Sequence, residues 1–286
     1  MNIVRVKTTD STNRLLKELT ARCRHCELRG TKQEANQTIV SQWIASGSAL
    51  ATTGNAPLEE GTVVVAETQT AGRGQKGSFW EAAAGQNITC SLLLYPTFLS
   101  LKQHFLLSKI VVLGVKETLD FLFPHLLPFF IKWPNDIYHK DRKIAGILIE
   151  NELMDDQITQ SVVGIGLNVN QEVFTSDALN PVSLKQLTSE TIDLDYLLGE
   201  MIRRIMYWYQ KLKDNQSEKI STVYHDALYR KNGFFCYEDK NGVFDARIGS
   251  VSDDGFLHLI TQGGEERRYA FKEVSFCNSF RKNAEV

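Results

Sequence analysis

The strongest constraint on the fold is a pair of long apolar runs, residues 143–153 and 158–169, separated by a polar break at Asp155-Asp156-Gln157. A parallel pair needs a crossover of a dozen or more residues, so this break forces the two runs into an antiparallel pair. Other segments supply further strands. Residues 3–6 form a short strand, and residues 62–66 a buried one. Residues 87–95 form a strand that Pro96 ends, and residues 129–133 one in which Pro134 holds Trp133 extended. Helices alternate with them. Asp10-Ser11-Thr12-Asn13 is a helix start, followed by Leu15, Leu16 and Leu19 at helical spacing. Residues 101–122 make a core helix, and 194–212 a helix with the aromatic end Tyr207-Trp208-Tyr209.

After Asn232-Gly233 the texture changes. Short strand-like runs alternate with the turn signals at 239–242, 253–255 and 262–265, the spacing of a small β-barrel or meander. The chain has 286 residues, and at about 150 per domain the expectation is roughly two domains. We expect a catalytic-sized α+β domain at 1–232 and an all-β domain at 233–286. Residues 21–60 lack pattern, apart from one apolar island at 39–44; they are partly ordered or an insertion.

Composition removes several function classes. With 43% hydrophobic and 23% charged residues, disorder is excluded. A net charge of -2 gives no sign of a nucleic-acid coat. The greasiest run, 121–131, is broken by Pro124, His125 and Pro128, and the N-terminus lacks a signal-peptide core. The expectation is a cytoplasmic protein with no membrane and no nucleic-acid partner. Five cysteines, an odd number without framework spacing, fit a reducing compartment. Cys23-Arg24-His25-Cys26 has no second ligand pair for zinc, and these cysteines read as ordinary thiols.

Residues 72–77, Gly72-Arg73-Gly74-Gln75-Lys76-Gly77, match G-x-G-x-x-G after a strand. A dinucleotide site also needs a helix directly after the loop and an acidic residue about 20 positions on. Both are missing, and so is the Gly-Lys-[Ser/Thr] of a P-loop. What remains is a loop of exposed backbone N–H groups with Arg73 and Lys76 among them. It suits close approach to an anion, and by itself it equally suits a flexible surface loop.

Lys132-Trp133-Pro134-Asn135-Asp136 places a cation, a rigid bend, an amide and a carboxylate together, and Arg142-Lys143 then feeds a buried strand. Alone, Lys143 reads as a solvated turn lysine and Asp10 to Asn13 as a helix cap. Together with residues 67–77 and Gly164-Ile165-Gly166-Leu167-Asn168, these segments resemble the biotin protein ligase family, in family order over most of residues 1–170.

The resemblance implies a class II aminoacyl-tRNA synthetase-like (biotin/lipoate ligase) fold with a largely antiparallel mixed sheet and an SH3-like C-terminal barrel. It implies activation of biotin with ATP and Mg²⁺ to biotinyl-5'-AMP. Biotin then passes to a lysine of the biotin carboxyl carrier protein. Ser11, Thr12, Asn13 and Gln69 would line the biotin pocket with Arg73, Gly74, Gln75, Lys143 and Trp80. Gly72, Arg73, Gly74, Lys132, Asn135, Lys143 and Asn168 would hold ATP, with Asn168 reading adenine. Lys143, Arg73 and Asp136 would be catalytic, and Asp136 would position the metal or the acceptor lysine. Members of the family often pair along a sheet edge, so a homodimer is possible.

Gln75 stands where the family often has Arg, which puts the grip of the loop on the intermediate in question. Lipoate ligases share the fold but carry a histidine-containing run after the glycine segment, which is absent here. Only about ten residues precede the first motif, so a winged-helix repressor domain is not expected. A non-catalytic biotin-binding protein is the remaining rival, opposed by the retention of Arg73, Lys132, Asp136 and Lys143.

Overall fold

The computed structural model describes residues 2–27, 58–75, 77–176 and 180–277, with the backbone alone over 22–27. In chain order the elements begin with β1 (Ile3–Thr9), α1 (Thr12–Glu27), β2 (Val63–Gln69), β3 (Ile88–Leu94) and α2 (Phe105–Leu122). They continue with β4 (Phe129–Lys132), β5 (Asp136–His139), β6 (Arg142–Met154), β7 (Gln157–Leu167), α3 (Leu184–Thr188), α4 (Leu194–Lys213) and α5 (Ser217–Asp226). The last five strands are β8 (Phe235–Asp239), β9 (Gly242–Val251), β10 (Leu257–Thr261), β11 (Glu266–Tyr269) and β12 (Val274–Phe276). The chain packs as two units: Met1–Phe98 with Asp141–Glu200, and Leu99–Lys140 with Met201–Val286.

In the first unit the strands run in the order β1-β2-β3-β7-β6. The hairpin expected from the sequence is present: β6 and β7 pair antiparallel from Ala145↔Leu167 to Met154↔Gln157. Asp155 in its two-residue turn has φ 54°, the left-handed backbone that tight hairpins require. β3 is central and all seven of its residues are buried. β1 and β2 pair in parallel, and the long connection that a parallel pair needs begins with α1. Leu15 and Leu16 of that helix pack on Val4, Val6, Val64, Ala66, Leu93 and Val162. The helix runs to Glu27, into the segment that lacks sequence pattern. Residues 28–57 of the expected insertion lie outside the described residues, as do Lys76 and the side chains of Cys23 and Cys26.

The second unit contains the β4–β5 hairpin and the separate antiparallel sheet β11-β10-β9-β8-β12, formed where the turn signals fall. Cys236 and Cys277 form a disulfide with Cα atoms 5.4 Å apart, a departure from the reducing-compartment reading of the cysteines. Their separation of 41 residues offers no spacing signal; the pairing of β8 with β12 brings them together. Among the described residues no helix is long and apolar enough to cross a membrane.

α2 packs against α4 through Gly114. A Cβ there would lie 2.6 Å from Ile205 Cγ1 and 2.8 Å from the Ile205 backbone, so only a missing side chain permits the approach. Gly114→Val should therefore destabilise the protein by about 1–3 kcal/mol, through overpacking against backbone that has no room to yield. Chemical denaturation checks this; an unchanged midpoint would remove Gly114 as a packing determinant.

Candidate functional site

Three turns converge in the first unit. The Asp10 carboxylate accepts from Ser11 N at 2.7 Å, just ahead of α1. The Asp10 and Thr9 carbonyls accept from Ala71 and Thr70 N–H groups at 3.0 and 2.9 Å, which ties the glycine loop to the helix start. That loop doubles back on itself. Gly74 N donates to Ser78 O at 2.9 Å and Trp80 N to Gly72 O at 3.1 Å, while Arg73 and Phe79 face each other as a β-bridge. Gly72 is required here, because a Cβ would sit 2.4 Å from Trp80 O. Arg73 and Phe79 are exposed, Gly74 and Gln75 half-buried.

Beneath the loop Ser11, Thr12 and Asn13 are buried in a connected polar network. Gln69 Oε1 accepts from Thr12 N at 2.9 Å and from Thr12 Oγ1 at 3.2 Å. Ser91 Oγ lies 2.8 Å from Thr12 Oγ1 and 2.5 Å from Asn13 Oδ1. Asn13 Nδ2 donates to Glu150 Oε2 at 2.8 Å, and Lys17 Nζ to Glu150 Oε1 at 2.7 Å. Burial alone would raise the Glu150 carboxyl. The hydrogen bonds from Lys17 and Asn13, with the charges of Lys17 and Arg73, outweigh that and hold it below its ordinary range.

Three glycines shape the adjacent sheet face. Gly146 on β6 pairs with Gly166 on β7, and the Trp80 indole lies over the pair. A Cβ on Gly166 would be 2.2 Å from Trp80 Cε2, and one on Gly164 would be 2.4 Å from Asn13 Oδ1. Trp80 Nε1 is buried without a hydrogen-bond partner among the described residues. Lys143, second residue of β6, carries its ammonium 5.7 Å from the centre of a Trp80 ring. The expectation of a lysine at a strand mouth is met, and its backbone is fixed by Lys143 N→Asn180 O and Val182 N→Lys143 O, both 2.9 Å. Asn168, just past β7, donates through Nδ2 to Val182 O at 3.2 Å, while its buried Oδ1 has no hydrogen-bond partner among the described residues.

Thus Thr12, Asn13 and Gln69 are hydrogen-bonded into one network, with Ser11 buried at its helix start, while Lys143 and Trp80 meet on the glycine face. Lys132, Asn135 and Asp136 belong to the second unit. Lys132 pairs with Asp136 across the β4–β5 hairpin, its Nζ 3.1 Å from Tyr138 Oη, and Asn135 is buried in the turn. The sequence reading assigned no role to Ser91 or to Glu150. Ser91 sits in β3 two residues after Thr89, and nothing local distinguishes it. Glu150 lies within the 143–153 run, but its partners Asn13 and Lys17 are remote in sequence.

The architecture is that of solved biotin protein ligases. The enzyme of Aquifex aeolicus, determined with biotin and ATP, superposes with a TM-score of 0.70 at 25% identity, covering 97% of this chain and 99% of that one. The bifunctional ligase/repressor BirA of Bacillus subtilis is 31% identical over 222 residues, 76% of this chain and 66% of that protein. The biotin--[acetyl-CoA-carboxylase] ligase of Paracoccus denitrificans is 30% identical over 153 residues, 52% of this chain and 63% of that protein. The aligned part therefore spans about two-thirds of these relatives, 66% and 63%. Residues 46–168 match the model of the Biotin/lipoate A/B protein ligase family, and the chain belongs to that family.

The lowered Glu150 pKa gives a signed pH effect. Its stabilisation is complete above the free-glutamate value of 4.5 and is lost as pH falls through the lower folded value. Glu150→Gln should flatten the acid side of the stability–pH curve below 4.5. Thermal melts of both proteins across that range check it; parallel curves would contradict it.

Proposed function

We propose that the protein activates biotin with ATP, forming biotinyl-5'-AMP and pyrophosphate, and then transfers biotin to one lysine of a biotin carboxyl carrier protein. The observation that carries this reading is the set of groups gathered at the Gly146–Gly166 face: the Trp80 indole seated on it, the Lys143 ammonium beside that ring, and the polar cluster around Thr12 and Asn13. An apolar indole wall, a lysine at one end and a polar network nearby match a ligand with a ureido head, an apolar body and a carboxylate. The ureido group offers two donors and an acceptor, which hydroxyls and amides of Ser11, Thr12, Asn13 and Gln69 can answer in either role. The family also includes lipoate ligases, but a dithiolane ring has no hydrogen-bonding groups to offer this polar cluster. The solved Aquifex relative, which binds biotin and ATP, supports the same choice.

In the first step the biotin carboxylate oxygen attacks the α-phosphorus and pyrophosphate leaves. Two anions must meet, and fixed cations are the device for this. Lys143 would bridge the carboxylate and the phosphate. Arg73 and the Gly72 backbone would hold the phosphates, since the Gly74 N–H is given to Ser78 O, and Gln75 would contribute its N–H in place of a cation. The buried Asn168 Oδ1 would accept from the adenine amino group. For Lys132, Asn135 and Asp136 the support is the motif: Lys132 and Asn135 would act on the polyphosphate. A single carboxylate such as Asp136 suits Mg²⁺, which keeps several waters and rides on substrate phosphates, where it neutralises their charge. In the second step the lysine amine attacks the acyl carbon and AMP leaves, with Asp136 orienting the amine. We propose further that β8 to β12 form the SH3-like domain.

Purified protein given biotin and ATP should release pyrophosphate, and lipoate should not replace biotin. Lys143→Ala should slow release by about 10²–10³-fold, the effect of removing one preorganised charge contact. Equal release with lipoate, or an unimpaired Lys143→Ala, would overturn the assignment. Asp136→Asn should reduce transfer to a carrier domain more than adenylate formation, measured on labelled biotin. An equal loss in both steps would refute the role given to Asp136.

A further inference from the structure

Lys109 lies on the buried face of α2 and is 1% exposed, deeper than any lysine the reaction needs. All three of its N–H bonds are used: to Asp253 Oδ1 at 2.7 Å, Ser221 Oγ at 2.9 Å and Val251 O at 3.0 Å. Burial pulls its pKa below the ordinary lysine value, against the opposing effect of Asp253. A buried ion pair is weak as a source of stability, because an apolar side chain would fill the space as well. What an apolar side chain would not do is fix the Val251–Gly255 turn between β9 and β10.

That turn is held from every side. Phe105 N donates to Asp253 O at 3.1 Å, and Gly255 N to Ser252 O at 3.0 Å. Gly255 has φ +92°, and a Cβ there would come within 3.0 Å of the Phe105 ring. Its carbonyl accepts from Trp133 Nε1 at 3.0 Å, and the Trp133 ring meets Phe271 edge-on at 6.3 Å. Trp133 stands between Lys132 and Asn135-Asp136 in the β4–β5 turn. On its other side Lys132 Nζ is flanked by the rings of Tyr138 and Phe276, 4.7 and 5.3 Å from their centres. The C-terminal sheet thus grips the motif at two consecutive residues.

We infer that Lys109 is a positioning residue: through the Asp253–Gly255 turn and the Trp133 indole it sets where Lys132, Asn135 and Asp136 stand. For its effect on nucleotide use, the inference rests on the proposed role of those three residues. Nothing in it depends on the biotin pocket, which lies in the first unit.

The test uses the full chain with Trp133→Phe, which removes the indole N–H together with part of the ring, Lys109→Met, which keeps length and removes the donors, and the double variant. The KM for ATP in the pyrophosphate assay should rise about tenfold in each, the effect of one lost buried hydrogen bond. Biotin affinity measured calorimetrically without ATP should stay within about twofold. The double variant should be no worse than the worse single one, because both act along one path. Independently of activity, the Trp133 indole N–H resonance, assigned by its loss in Trp133→Phe, should shift in Lys109→Met. An unmoved resonance, or an unchanged ATP KM beside an active parent, overturns the inference. If Lys109→Met does not fold, Trp133→Phe alone decides through its ATP KM. A parent that releases no pyrophosphate refutes the proposed function instead, and the resonance still decides this one.

Discussion

The site depends on one steric constraint: β6 and β7 lack side chains where they must be approached. Gly146 and Gly166 face each other across the pair, and Gly164 lies two residues along on the same face. Glycine weakens a strand, and its presence inside one marks close approach by another group. Here two groups approach, the Trp80 indole and the Asn13 amide, each closer than a methyl group would allow. The glycine loop and the start of α1 can therefore lie down on the sheet, and the polar network forms where they meet it.

The network is a second-order consequence of that approach. Buried amides and hydroxyls are costly unless each finds partners. Asn13 finds Ser91 and Glu150, Glu150 finds Lys17, and Thr12 finds Gln69. The exceptions, Trp80 Nε1 and Asn168 Oδ1, are buried polar atoms beside the face where substrate is proposed to lie. Satisfied groups hold the frame, while the two open ones have unused hydrogen-bonding capacity.

Much of this was legible in the sequence, for physical reasons that differ by element. The β6–β7 hairpin was forced by the length of its turn, and the tail sheet by its turn signals. Lys143, Arg73 and Asn168 lie in the segments that carry the family resemblance. α5 was not foreseen, since only Ile220 and Tyr224 of its residues are buried and the apolar pattern is thin. β5, four residues long, is too short for periodicity to show. Ser91 and Glu150 were not assigned roles because their partners lie 79 and 137 residues away, and sheet order alone brings them together. Lys109 was hidden because α2 carries other polar residues, Ser108, Lys116 and Glu117 among them, and nothing local marks it as buried; its partner Asp253 looked like an ordinary turn residue.

The central claim is that the Trp80 indole, seated on the glycine face of β6 and β7, is the apolar wall of the biotin site. Calorimetric titration of biotin into the parent and Gly166→Ala, without nucleotide, addresses it most directly. The account predicts saturable binding to the parent and its loss in Gly166→Ala, with cooperative unfolding retained. Equal affinity in the two proteins would contradict it.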